Sequence, residues 1–179
     1  MNRRNMLRVL SSLPVLGWVI PSQAEEIKWT PELARKHLNR LLNSASHVSR
    51  WDLAAASGET LKEKINSLFV ALNCLDILCN EDNENNNCII AGSTTGSLLA
   101  QSGGFKHSSL EPVSHSSEHL KFQKDFDLWF QGTVNNRWRL YFTQDIDQKE
   151  ILVINDKDLR SGVMPNPKHY GKIEVQNFI

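Results

Sequence analysis

The chain has 179 residues, 20 Lys and Arg against 20 Asp and Glu, and three cysteines. That length suits one domain that needs no staples, since ~150 residues bury about two thirds of the unfolded chain's surface. Balanced charge, with no basic stripe interleaved with aromatics, excludes an electrostatic nucleic-acid interface.

Residues 1–24 read as an export signal. Arg3, Arg4 and Arg8 form a basic head, an apolar stretch runs from Val9 to Ile20, and Ser22-Gln23-Ala24 is a small-x-small cleavage site. The pair Arg3-Arg4, followed by Met6, Leu7 and Arg8, has the pattern of a twin-arginine signal. Ser11, Ser12, Pro14 and Gly17 keep the stretch only moderately apolar, which favours that route over the general secretory one. A stretch this short, broken by a proline, falls below the ~20 residues that span a bilayer. The expectation is a periplasmic mature domain, residues 25–179, exported folded through the twin-arginine translocase.

Thr30-Pro31-Glu32 starts a first helix, with Thr30 as cap and Pro31 at the first position. Ala34, Leu38, Leu41, Leu42 and Ala45 mark its apolar face, and His37 borders it. Thr60-Leu61-Lys62-Glu63 is a capping box opening a second helix, with a stripe at Leu61, Ile65, Leu68, Phe69 and Leu72. Residues 80–87 are entirely polar. Cys88 to Ala91 is a short apolar piece, and loop follows through Gly104, with one helical turn at Ser97–Gln101.

A third helix is predicted from His115 to Gly132, because Phe122, Phe126, Trp129 and Phe130 fall at helical spacing and Gly132 is a stop. A strand over Asp125–Val134 is the competing reading. Asn135-Asn136 then turns into a strand at Arg137–Gln144, with a second apolar run at Glu150–Asn155 and a third at Lys172–Ile179. The predicted fold is mainly α, helical over its first two thirds, with a small antiparallel β portion at the C-terminus. A compact α+β domain is the alternative.

Four patterns bear on chemistry. His115-Ser116-Ser117-Glu118-His119 matches His-x-x-Glu-His, in which His115 and His119 would bind zinc with Glu118 as base, His107 being a further donor. The competing reading is a solvated helix start. Asp82, Glu84 and Asn86 suggest a calcium loop, but Asn87 and Ser93 stand where an EF-hand needs Gly and an acid. Cys74 and Cys79 lie too far apart on one helix to bridge, Cys88 could reach either, and plain burial is the simpler reading. Asp145, Asp147, Asp156 and Asp158 read as solvated turn residues.

Several stretches resemble a known family. The twin-arginine start, Ser49-Arg50-Trp51-Asp52-Leu53 before a capped helix, and Leu128-Trp129-Phe130-Gln131-Gly132-Thr133-Val134 carry the resemblance, with Tyr141 and Ile151-Leu152-Val153-Ile154 after them. The chain is similar to the small subunit of membrane-associated FAD-dependent sugar and polyol dehydrogenases of the sorbitol/fructose type. It departs at the tail, where that family keeps a Tyr-Cys pair and a Trp. The resemblance implies a non-catalytic subunit with no cofactor of its own. It would bind a large FAD-bearing dehydrogenase subunit and supply the export signal for both through Arg3 and Arg4, beside a haem-bearing cytochrome c subunit at the outer face of the inner membrane. Phe126, Trp129, Phe130, Trp138 and Tyr141 are then interface candidates. The competing functions are an independent periplasmic binding module and a small metal-dependent hydrolase.

Overall fold

A computed structural model describes residues 28–79, 86–102, 104–107 and 123–177. Thr30 caps α1 (Pro31–Ser44): its hydroxyl accepts from the Leu33 N–H at 3.3 Å. Ala34, Leu38, Leu41 and Leu42 are buried along one face of α1. The capping box opens α2 (Leu61–Cys79) as predicted. The Thr60 hydroxyl accepts from the Glu63 N–H at 3.2 Å, and the Glu63 carboxylate accepts from the Thr60 N–H at 3.0 Å. Ile65, Leu68, Phe69, Leu72 and Leu75 form the buried face of α2.

Between these helices lies one seven-stranded mixed sheet. Its strands are β1 (His47–Asp52), β2 (Cys88–Gly92), β3 (Phe105–His107), β4 (Trp129–Val134), β5 (Trp138–Thr143), β6 (Glu150–Ile154) and β7 (Gly171–Gln176), in the order β1-β7-β6-β2-β5-β4-β3. β1 runs parallel to β7 and β2 parallel to β5; all other neighbours are antiparallel. Two shorter helices, α3 (Ser93–Leu99) and α4 (Asp156–Ser161), also cover the sheet.

Every residue of β2 is buried because both faces of the sheet are covered. Ile89 and Ala91 join the core under α2 and α3, with Ile151, Val153, Ile173 and Val175 from neighbouring strands. Cys88 and Ile90 join the core under α1 and α4, with Leu152 and Ile154. On β7, Lys172 reaches Glu150 at 2.9 Å and Glu174 at 3.0 Å, and Arg50 of β1 reaches Glu174 at 3.2 Å. These bridges offset the repulsion between Glu150 and Glu174, which stand directly opposite in the ladder.

This is an α/β-type domain, and it overturns the mainly helical expectation. A strand buried on both faces reads as an unbroken apolar run, and periodicity alone cannot separate it from a piece of helix. The piece from Cys88 to Ala91 is such a run, and it is the centre of the sheet. The third helix, His115–Gly132, is corrected in its second half; residues 115–122 lie outside the described residues. Residues 123–125 are helical, then Asp127 adopts a left-handed φ of 47° and the Leu128 N–H reaches back to the Gln123 carbonyl at 2.9 Å. That closure ends the helix five residues before Gly132. Trp129–Val134 is instead β4, paired along β5, with a register shift between Phe130 and Gly132. Asn135 and Asn136, at φ 52° and 55°, make the hairpin turn that locks this pairing.

Candidate functional site

Two polar clusters cap the ends of the sheet. At one end, Asp156 opens α4. Its carboxylate accepts from Asn87 Nδ2 at 2.9 Å, from Arg139 at 3.4 Å and from Arg160 at 3.3 Å, and its backbone N–H donates to Asn87 Oδ1 at 2.9 Å. Beneath it lie the Cys88 thiol and the Tyr141 hydroxyl. Burial pushes the pKa of both up, further than the Arg139 guanidinium pulls them down. A thiol kept protonated in this way is inert as a nucleophile. The cluster ties β2, β5 and α4 together, and its carboxylate already accepts from three side chains. At the other end, Arg35 binds the buried Asp145 at 2.7 Å, clamping α1 to the turn after β5. Asp145 and Asp156 are thus buried, paired residues, where solvated turns were expected. Arg139, a charge inside an otherwise apolar strand, was the available signal.

Among the described residues, an apolar surface is left open on the outer face of α2. Val70, Cys74, Ile77 and Leu78 fall at i, i+4, i+7 and i+8 and are all exposed, Val70 to 62% and Ile77 to 69%. Asn73 is the polar residue among them, and the one charged residue in this half of the helix, Asp76, is buried and ion-paired to Arg137. Single exposed apolar residues are ordinary, but here they form a contiguous stripe on a helix already packed on its other side. α2 is therefore apolar on two faces, which its sequence conceals as general hydrophobicity.

No family model matches the chain, and no curated protein matches it.

The interface candidates separate. Phe126, Trp138 and Tyr141 are core residues of this chain, each at most 1% exposed. Phe130 is half-buried and packs on Tyr141 at 5.4 Å between ring centroids. Trp129 alone among the five is open, at 65%. His115, Glu118 and His119 lie outside the described residues, as do Arg3, Arg4, Asp82 and Glu84. Among the described residues no group of three or more His, Cys, Asp or Glu could hold a metal ion, and no helix is long and apolar enough to cross a membrane. His107 stands on β3, its ring edge-on to Phe105 at 6.2 Å.

All three cysteines are free. Cys79 and Cys88 are buried in cores on opposite faces of the sheet, which bars a bridge between them. Burial pushes the Cys79 thiol up to about 12, with the Asp76 carboxylate adding to it. Alkylation of the folded chain at neutral pH should label Cys74 alone, and label Cys79 and Cys88 only after denaturation. Intact-mass adduct counts before and after unfolding check this.

Proposed function

We propose that this chain is an exported, non-catalytic subunit that docks a larger folded protein on the outer face of α2. The observation that carries the reading is the uncharged stripe Val70, Cys74, Ile77 and Leu78 on a helix whose other face is already satisfied. Cores on both sides of the sheet mean that the partner meets a finished domain and completes no missing core. The leader adds a reason for partnership, since a twin-arginine route carries cargo already folded and a subunit bearing the signal would export what it binds. The partner proposed is the FAD-bearing dehydrogenase subunit, with a cytochrome c subunit beside it. That choice rests on the resemblance at Ser49–Leu53 and Leu128–Val134, the latter now a strand and not the end of a helix.

The test is an affinity pull-down of the tagged full chain carrying Arg3→Lys and Arg4→Lys, from the native cytoplasm. Retention of a flavin-bearing polypeptide in stoichiometric amount is the expected result. A folded chain that comes down alone would overturn the reading and leave an independent binding module.

A further inference from the structure

A neutral imidazole carries one donor and one acceptor, and both normally find partners when the ring leaves water. His37 breaks that rule. It lies on the inner face of α1, 4% exposed, and its Nε2 has no hydrogen-bond partner. The ring stands in an aromatic box. The Trp29 centroid is 5.4 Å away, that of Phe126 is 6.4 Å away, and Trp29 and Phe126 pack on each other at 4.4 Å. Trp29 belongs to the chain entering α1, and Phe126 to the turn before β4, so the box joins two segments distant in sequence.

The groups that face the ring are few. α1 itself brings the Arg40 guanidinium, α4 brings the Leu159 backbone carbonyl, and the two remaining segments bring only aromatic rings. Among the described residues no carboxylate acts on it. Removal from water and then the Arg40 charge both disfavour the imidazolium, and the Leu159 carbonyl does not compensate, so the ring titrates below the ordinary ~6.5. Phe126 lies beyond the ~6 Å reach of a cation–π contact, which leaves Trp29, at 5.4 Å, as the one ring of the box that could favour the charged form.

We propose that the Trp29–His37–Phe126 box is an acid-released latch, holding the chain that enters α1 against the domain at neutral pH and releasing Trp29 when His37 takes a proton. The direction follows from linkage. Above ~6.5 neither the boxed nor the released ring binds a proton, and the latch is closed. As pH falls from there toward the boxed ring's lower value, only the released ring takes up the proton, so closure weakens with acid. Release need not unfold the domain. Arg35 holds α1 to Asp145 at 2.7 Å, and Leu38 and Leu41 stay in the core, neither depending on His37.

The test follows the Trp29 indole N–H resonance of the full chain by NMR from about pH 7.5 to about pH 5, a window that brackets the free histidine value. Its loss in Trp29→Phe identifies the resonance. The expected result is a move to the position of a solvent-exposed indole with a midpoint below ~6.5, and no move in His37→Phe. A resonance that stays fixed, or that moves identically in His37→Phe, would overturn the latch. Should His37→Phe fail to fold, the ring titration of wild-type chain with labelled histidine decides. A His37 midpoint at or above ~6.5 overturns the proposal, and one below it that coincides with the Trp29 transition supports it.

Discussion

Trp138→Ala should lower the unfolding free energy of this protein by about 3–5 kcal/mol, as burial of a large aromatic predicts. The residue starts β5, is 1% exposed, and joins the core with Val134, Leu140 and Leu99. Val134 is also its register partner across the hairpin, so the ring staples the turn that Asn135 and Asn136 make. Arg137 stacks over the ring at 4.9 Å and is ion-paired to the buried Asp76, which adds a contact of about 0.5–1 kcal/mol that alanine would remove. Trp138→Phe separates packing from polarity. Trp138 Nε1 is buried with no hydrogen-bond partner, and an unsatisfied donor costs about 1–3 kcal/mol. Phenylalanine removes that donor while keeping most of the volume, so its loss should be well below that of alanine. Urea unfolding of the three proteins decides: a loss for Trp138→Phe as large as that for Trp138→Ala would overturn the packing account. Neither variant should change partner retention at the native temperature, because Trp138 is a core residue and not an interface residue.

The second large effect should appear in binding and not in stability. Val70→Asp combined with Ile77→Asp places two carboxylates on the outer face of α2, where both wild-type side chains already face water. Exposed substitutions of this kind usually change stability by no more than about 0.5 kcal/mol. At a docked interface, burying two unpaired carboxylates costs several kcal/mol each, enough to abolish retention of a partner. The measurement pairs a thermal melt with the pull-down. A folded double variant that still retains its partner would move the docking surface elsewhere, with Trp129 on β4 the next exposed aromatic to test. A double variant that fails to fold would show instead that the outer face of α2 is covered within the chain.

The local signals of this sequence hold in the fold where a few adjacent residues decide the outcome. Thr30-Pro31 and Thr60-x-x-Glu63 start helices because a side-chain oxygen next to free backbone N–H groups caps them in almost any context. The stripes of α1 and of α2 from Ile65 onward, and the strand at Trp138–Thr143, follow from apolar spacing at their own periods, whereas Leu61 of the predicted stripe is exposed at the first position of α2. His37 was placed at the border of its stripe and is in the core, because Trp29 and Phe126 come from outside the helix to cover it.

What the tertiary structure alone decided is the sheet. β1 lies parallel to β7, pairing His47–Asp52 with Gly171–Gln176 across most of the chain, and no local pattern encodes a partner at that distance. The aromatic spacing before Gly132 suited a helix as well as a strand. The Asn135-Asn136 hairpin tipped it to β4, because pairing with β5 satisfies a backbone that a helix would have satisfied alone. The paired states of Asp145 and Asp156 have the same origin, since their arginine and asparagine partners include residues far along the chain. By itself the sequence determined where α1 and α2 begin and which of their faces enters the core, each set within a few residues, and that the charge is balanced. Which runs became strands, which greasy face remained outside and which charges went inside were settled only when both sides of the sheet were covered.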